Sequence, residues 1–384
     1  MSISWARVAA HFCVLSVSGW TMLRADDQPP KKEDAPQAGE ESERAFKFTA
    51  AADALYSWNA NHPQSGLNQL HNFDMNADAW SLVSASFGVE REGERFNFRF
   101  DSGYGEMNKA MAVGDAWHGP NQYILQAYVG FKPFEGREFK VEAGKFATPT
   151  GGELPETFNN FNTTRSLLYV LGIPYYHFGM RATTPVSSEW TAGVYVVNGW
   201  NNVVENNWGT TFGATAHWKG KSQTLNAAYF GGSENPATNQ SSHSLVDLVY
   251  GFTAKKWWNN YTEFVWGGQG RMLGIAAPVS NAPVRYISYG FAHASRFNIS
   301  RNLSLSPRVS WFMDRDGAAT GMPQRLMEMT GTFEYRVSKW MLARAEMRRD
   351  LSNRDFFDAG SHPSSSKTQD TALLGLTFLW KAER

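Results

Sequence analysis

The segment RFNFRFDSGY, residues Arg95–Tyr104, alternates apolar and polar side chains along its length. Its aromatic members share one face of an extended chain: Phe96, Phe98, Phe100 and Tyr104. Its charged and amide members share the other face: Arg95, Asn97, Arg99 and Asp101. Because successive side chains of a β-strand point in opposite directions, this alternation predicts a strand that separates an apolar from a polar environment.

The same alternation recurs along most of the chain. Trp340–Leu351 alternates Met and Ala with Arg, Glu and Asp, and Thr371–Trp380 alternates Leu, Phe and Trp with Gly and Thr. Most of the predicted strands reach the roughly 9–11 residues that a tilted strand needs to cross a bilayer. They number about sixteen and span residues 45–57, 79–92, 94–106, 121–134, 138–148, 176–186, 189–200, 210–220, 222–232, 244–256, 259–272, 286–299, 302–315, 324–338, 340–352 and 370–380.

The predicted connections alternate between two lengths. Tight turns are predicted at residues 91–94, 134–137, 186–189, 219–222, 255–259, 300–302 and 338–340. Long polar segments lie between them, at residues 58–78, 107–120, 149–175, 233–243, 273–284 and 353–369. Short turns at one end and long loops at the other are typical of outer-membrane barrels, and an even strand number returns both termini to the short-turn side.

Tryptophans cluster beside the short turns or at the end of the last strand: Trp190, Trp218, Trp257, Trp258, Trp340 and Trp380. Indole rings prefer the headgroup layer of a membrane, so these positions predict a periplasmic aromatic girdle. The alternative is tryptophan in the core of a soluble β-domain. We predict an all-β fold, a transmembrane antiparallel β-barrel with short periplasmic turns and long extracellular loops.

Composition excludes two other classes of protein. No apolar run of about 18 residues follows the N-terminal segment, which excludes a bundle of membrane-spanning helices. Lys+Arg and Asp+Glu are equal at 36 each, which argues against a nucleic-acid partner. Charged residues make up 19% of the chain and aromatic residues 14%, and the mean hydropathy is −0.42.

Residues 1–25 are predicted to be an export signal peptide. Arg7 precedes an apolar core from Val8 to Leu23, and Ala25 stands at a plausible cleavage position. A retained membrane anchor is the alternative. The segment contains the single cysteine, Cys13, so the mature chain would have no disulfide or thiol chemistry. Residues 26–44 are charged and lack aromatics, which predicts a flexible periplasmic leader before a barrel spanning residues 45–384.

The polar faces of the strands predict the residues that line a water-filled lumen, because Arg or Lys at mid-membrane on the lipid face would cost about 2–4 kcal/mol. Opposed rows of Arg and carboxylate would create a transverse field that orients solutes. The alternative is that these charges form structural salt-bridge ladders. The predicted pore-lining residues are Arg99, Asp101, Lys140, Glu142, Arg181, Arg308, Glu328, Glu334, Arg336, Arg344, Glu346 and Arg348.

The segment Pro149–Tyr175 is the third and longest of the predicted long loops. It combines polar residues with the apolar stretch Leu167–Ile173, which would be unfavourable in bulk water. We predict that it packs inside the barrel as a constriction, with Glu153, Glu156 and Arg165 beside the passage. An apolar patch used in trimer contact, or a capping lid, is the alternative.

Catalytic signatures are weak. The sequence has no HExxH or GxSxG motif, and we predict no cofactor, no metal site and no catalytic residue. His293 and Ser295 share the predicted outer face of one strand, which leaves a barrel lipase as one alternative. A secreted soluble all-β protein that binds carbohydrate through exposed Trp and Tyr is the other.

Several motifs resemble the OmpL-like β-barrel porin family, over roughly residues 45–380. They are Ala143-Gly144-Lys145-Phe146, Thr150-Gly151-Gly152-Glu153, Asn162, Arg165-Ser166, Pro174, His177-Phe178-Gly179-Met180-Arg181, Asn198-Gly199-Trp200-Asn201 and the strand Arg344–Asp350. The resemblance implies a porin in the bacterial cell outer membrane of a Gram-negative-type cell, passing small polar solutes or ions by passive diffusion. The partners expected of such a channel are outer-membrane lipids, the barrel assembly machinery and a homotrimer. One departure is that Lys381-Ala382-Glu383-Arg384 follow Trp380, where these barrels usually end on an aromatic residue.

Overall fold

The computed structural model describes residues 46–113, 115, 118–234, 242–269 and 286–383. In this part of the chain, sixteen strands form a closed antiparallel barrel, and the first and last of them pair to complete the ring. The barrel strands are β1 Phe46–Asn59, β2 Ala79–Glu92, β3 Phe96–Tyr104, β4 Ile124–Phe131, β5 Lys140–Ala147, β6 Tyr176–Pro185, β7 Trp190–Val197, β8 Thr211–Lys219, β9 Gln223–Ser233, β10 Ser242–Lys255, β11 Trp258–Gln269, β12 Tyr286–Asn298, β13 Leu303–Asp314, β14 Gln324–Ser338, β15 Met341–Ser352 and β18 Thr368–Glu383.

The two faces of each strand differ as the alternation predicts. On β15, Met347 is 72% exposed on the outer face, whereas its neighbour Glu346 is 2% exposed on the inner face. Large apolar side chains such as Phe333 and Leu374 are likewise exposed on the outside. A shift of one residue in strand pairing would turn the charged row toward lipid, so the pattern also fixes the register.

The loops contain more regular structure than the sequence suggested. The segment 353–369, predicted as a long polar connection, contains a hairpin of β16 Phe357–Ala359 and β17 His362–Ser366, which pair with each other. The predicted long segment 107–120 overlaps two helices, α1 Glu106–Ala112 and α2 His118–Asn121. No helix in the described ranges is long and apolar enough to cross a membrane. Residues 1–25, 26–44 and 273–284 lie outside the described residues.

Short and long connections alternate around the barrel. Two residues join β10 to β11 and two join β14 to β15, whereas residues 60–78 and 148–175 form long connections at the other end. Tryptophans gather beside the short turns, where Trp190 is the register partner of Trp218. Trp258 stacks on Phe297 with ring centroids 6.2 Å apart. The chain therefore has the two unlike ends expected of an outer-membrane barrel.

The interior of the barrel contains part of the third long connection, residues 148–175, which we call the inner loop. It includes a 3₁₀ turn, Thr157–Asn159, and the short helix α3, Leu167–Leu171, which begins at Ser166, whose hydroxyl accepts from the backbone N–H of Tyr169. Leu167 and Leu168 are completely buried in an apolar cluster with inward side chains of the wall. The apolar stretch of the inner loop is thus removed from water inside the barrel.

Candidate channel site

The start of the inner loop is fastened to two carboxylates on neighbouring strands. The backbone N–H of Gly151 donates to Asp247 on β10 at 2.7 Å, and that of Gly152 donates to Glu263 on β11 at 3.0 Å. Gly151 has a φ of +92°, and a Cβ at Gly152 would lie 2.6 Å from the ring of Tyr261. Glycine at both positions therefore lets the backbone approach the wall closely.

The middle of the inner loop is held by one carboxylate of β15. Glu346 accepts hydrogen bonds from the backbone N–H groups of Thr163 at 2.6 Å and Thr164 at 3.0 Å. It also accepts one from the hydroxyl of Thr332 on β14 at 2.6 Å. Such bonds to an ionised group are stronger than neutral ones, so this carboxylate is an effective anchor.

Arg308 on β13 links the inner loop to the wall by charge. Its guanidinium donates to Glu153 at 2.7 Å and to the carbonyl of Thr164 at 2.6 Å. The same group donates to Glu328 on β14 at 3.1 Å and is only 1% exposed. A buried charge is tolerated only when it is paired and hydrogen-bonded, and Arg308 meets both conditions.

Two arginines of β15 also donate to backbone carbonyls of the inner loop. Arg344 donates to the carbonyl of Thr157 at 2.8 Å and to Glu334 at 2.6 Å. Arg348 donates to the carbonyl of Arg165 at 2.7 Å. The charged row of β15 is thus paired with the inner loop and does not face open water.

The three predicted constriction residues differ in their surroundings. Arg165 donates to carbonyls of its own loop, at Leu154, Thr163 and Pro155, within 2.8 Å. Glu153 is buried against Arg308 and accepts from the backbone N–H of Ser166 at 2.7 Å. Glu156 alone among the three is partly exposed, and it borders an open cavity.

The predicted pore-lining residues all lie on strand faces that point inward, but most of them are covered. Three members of the set are more exposed to solvent than the rest. Arg99 and Arg336 are partly exposed, and Asp101 is 8% exposed. The others are at most 4% exposed: Lys140, Glu142, Arg181, Arg308, Glu328, Glu334, Arg344, Glu346 and Arg348. They pair with one another, with the inner loop or with both, as in the contact of Arg181 with Glu142 at 2.6 Å.

An open cavity of about 240 Å³ lies between the inner loop and the wall formed by β1 to β5. Arg99 and Asp101 on β3 border it, and the Arg99 guanidinium contacts Asp101 at 2.7 Å and Glu90 at 3.2 Å. Sequence analysis missed several cavity residues: Glu90, Glu92, Gln126, Phe158 and Asn159. The pairing of β1 with β2 shifts at Asp53/Ala54, which changes the positions of β2 that face inward. The apolar–polar alternation of β2 is therefore interrupted, and it does not identify Glu90 and Glu92 as inward-facing.

A buried histidine fastens the first long connection, residues 60–78, above the inner loop. His71 contacts Asp74 of the same connection and lies 3.4 Å from Asp350 on β15. Arg348, which pairs with Asp350, also donates to the carbonyl of Leu70 at 3.2 Å. Burial is the largest influence on His71 and lowers its pKa, and Arg348 lowers it further, but the carboxylates of Asp74 and Asp350 together hold that pKa above its ordinary value.

This cluster predicts a pH-dependent contribution to stability. Because the folded pKa of His71 is raised, its contribution is complete below the unfolded value of about 6.5 and is lost as pH rises through the folded pKa. We expect the unfolding temperature, followed by migration on unboiled detergent gels, to fall as the pH rises above about 6.5. His71→Asn should weaken that dependence, whereas His62→Asn, at an exposed histidine, should preserve it. An unchanged pH profile in His71→Asn would contradict the prediction.

The outer wall carries the contact on which the lipase alternative depends. The two ring nitrogens of His293 face hydroxyl groups, Thr262 at 2.9 Å and Ser295 at 3.2 Å. A hydroxyl cannot stabilise an imidazolium by opposite charge, so the contact lacks the acid of a hydrolytic triad. Within the described ranges, no group of three or more His, Cys, Asp or Glu side chains is arranged to hold a metal ion.

Solved structures with the same fold are outer-membrane proteins. OmpT of Vibrio cholerae is 11% identical with a TM-score of 0.57, covering 91% of this chain and 99% of its own. The outer membrane channel DcaP of Acinetobacter baumannii is 10% identical with a TM-score of 0.57. The match covers 88% of this chain and 98% of the DcaP chain. An anion-selective porin from Comamonas acidovorans is 8% identical with a TM-score of 0.55. The match covers 88% of this chain and 98% of the porin chain.

No curated protein matches the chain. The family model described as "Putative beta-barrel porin-2, OmpL-like" matches residues 45–379, nearly the whole barrel. The soluble carbohydrate-binding alternative is therefore not favoured, and the family indicates a channel. The chain belongs to the OmpL-like porin family and is a porin of the bacterial outer membrane.

Proposed function

We propose that small polar solutes cross this porin through the cavity between the inner loop and β1 to β5, and that the inner loop is the constriction. The observation that carries the proposal is a cavity between part of the loop, including Leu154 and Asn159, and the wall. On the side of β6 to β14, Phe230, Phe312 and Leu168 are completely buried. On the side of β1 to β5, a cavity of about 240 Å³ with both polar and apolar lining lies between the loop and the wall.

The chemistry of this cavity suits passive diffusion. Charged and amide groups such as Arg99, Asp101 and Gln126 line it, so a solute can exchange water for protein hydrogen bonds as it passes. The buried charges of β13 to β15 then have a separate role, which is to hold the inner loop in place. We assign no catalytic step and no cofactor to this passage.

Cysteine modification tests the position of the passage, because the single natural cysteine, Cys13, lies in the predicted signal peptide. Asn159 borders the cavity from the inner loop and is partly exposed. We expect a bulky, water-soluble thiol reagent to reduce the single-channel conductance of Asn159→Cys sharply. Ser365→Cys, on the exposed hairpin of β16 and β17, is the matched control.

Three results are informative in this experiment. Block of Asn159→Cys with an unaffected control supports the proposed passage. Complete labelling of Asn159→Cys, shown by mass spectrometry, with unchanged conductance contradicts it. Equal block of both variants would place the effect at the extracellular mouth and would also contradict it.

We also propose the arrangement of the whole chain and its partners. Residues 1–25 would direct export, residues 26–44 would form a periplasmic leader, and residues 45–384 would form the barrel in contact with outer-membrane lipids. The barrel assembly machinery would insert it, using Trp380 in place of a terminal aromatic. One of the solved OmpT structures is described as a trimer form, which supports a homotrimer here. The mass of the detergent-solubilised protein before and after heating tests that assembly, and a monomer at both stages would contradict it.

A further inference from the structure

We infer that this passage favours cations over anions and that Glu156 is the residue that sets this preference. The inference rests on the proposed route through the cavity beside β1 to β5. It names the charge class of the solutes that the route would accept, which the near balance of charges in the whole sequence leaves undetermined.

Four carboxylates and four cationic groups border the cavity, but the cationic groups do not all act on the passage. Arg91 also borders it, but its guanidinium stacks over the ring of Phe46, 5.3 Å from the centroid, and both residues belong to the outer face of the wall. The carboxylates are Glu90, Glu92, Asp101 and Glu156, and the remaining cationic groups are Lys47, Arg99 and Lys381.

The cationic groups differ in how strongly they can act on a solute. Lys47 and Lys381 are exposed near the periplasmic ends of β1 and β18, where salt screens their charges. Arg99 lies deeper, and its guanidinium contacts Glu90 at 3.2 Å and Asp101 at 2.7 Å. Two carboxylates therefore share this one guanidinium, and the group leaves an excess of negative charge.

Glu156 adds a further negative charge from the opposite side of the cavity. Its carboxylate belongs to the inner loop and accepts a hydrogen bond from the side chain of Asn159, a neutral group, at 3.5 Å. The loop arginine, Arg165, is buried against carbonyls of the loop itself and does not border the cavity. A solute that passes between Glu156 and Asp101 thus meets carboxylates on both sides.

Neighbouring basic residues on the wall do not reverse this balance. Lys132 contacts Glu92 at 3.4 Å and Glu138 at 3.1 Å. Lys140 contacts Glu92 at 3.6 Å and Glu142 at 3.1 Å. These lysines are matched by carboxylates of their own group. The net charge beside the inner loop is therefore set by three carboxylates, Glu90, Asp101 and Glu156, and one cation, Arg99, and it is negative.

The reversal potential in a potassium chloride gradient across a planar bilayer tests the inference. We expect the wild-type potassium-to-chloride permeability ratio to exceed unity. Glu156→Gln should bring it close to unity, and Glu156→Lys should bring it below unity. Glu135→Gln is the matched control, because Glu135 contacts Arg95 on an exposed turn outside the cavity, and it should behave like the wild type.

The possible results separate this inference from the proposed passage. A wild-type ratio at or below unity would overturn the cation preference, and an unchanged ratio in Glu156→Gln would overturn the assignment to Glu156. Conductance that cysteine labelling at Asn159 fails to block would overturn the route itself, and the inference with it. Glu156 is partly exposed, so both of its variants should fold. Heat-modifiable migration on detergent gels checks their folding separately from the permeability measurement.

Discussion

Replacing residues Glu153–Arg165 by a short Gly-Ser linker is expected to raise single-channel conductance several-fold. The segment crosses the barrel interior and carries the loop side of the cavity, so its removal would join that cavity to the space the loop now occupies. The wall charges that it leaves behind keep partners on neighbouring strands, as Arg344 does with Glu334. The closed barrel should therefore form without the segment.

Planar-bilayer recording measures this effect. The control is an equivalent linker in place of residues 315–323, which join β13 to β14, and its conductance should stay close to that of the wild type. A variant lacking Glu153–Arg165 that is folded by the detergent-gel test and has wild-type conductance would refute the constriction.

Arg308→Met is expected to cause the largest loss of stability of any single substitution in the wall. The substitution leaves Glu153 and Glu328 buried without the guanidinium that each now contacts, at 2.7 Å and 3.1 Å. Removing one partner of a buried ion pair costs about 3–5 kcal/mol, because the remaining charge stays buried and uncompensated. Urea unfolding in detergent or lipid measures the change.

A second variant separates charge from packing in this prediction. Arg308→Met combined with Glu153→Gln and Glu328→Gln removes the uncompensated charges, so it should recover part of the stability that Arg308→Met loses. The control Arg349→Met removes an exposed arginine that pairs with Asp370, and it should change stability little. If the triple variant is no more stable than Arg308→Met, buried charge is not the cause of the loss.

The barrel itself could be predicted from the sequence because its signals are local. In Trp340–Leu351 the alternation identifies both the strand and the face that points inward, and β15 follows it over Met341–Ser352. Connection length likewise separates the two ends of the barrel without reference to tertiary contacts. Predictions weakened where local signals were mixed, as on β2, and where a hairpin formed inside a polar segment, as at Phe357–Ser366.

The environment of the inward charges could not be predicted in the same way. The sequence assigned Glu156 and Arg165 to the same passage, yet Arg165 donates to Leu154 and Pro155 of its own loop. It also predicted Arg344 and Arg348 beside water, whereas both donate to the backbone of the inner loop. These outcomes depend on the path of the loop, which no alternation within a strand describes.

The order of residues along the chain is enough to predict a barrel with an apolar outer face, charged inner rows and two unlike ends. Neighbouring residues alone establish those features, because a strand repeats every two residues. The tertiary structure decided which charges face the cavity and which hold the inner loop. The contact of Arg348 with the carbonyl of Arg165 spans 183 residues of sequence. Only the closed barrel brings such distant groups together, so only its geometry distinguishes a charge that meets solute from one that holds the loop.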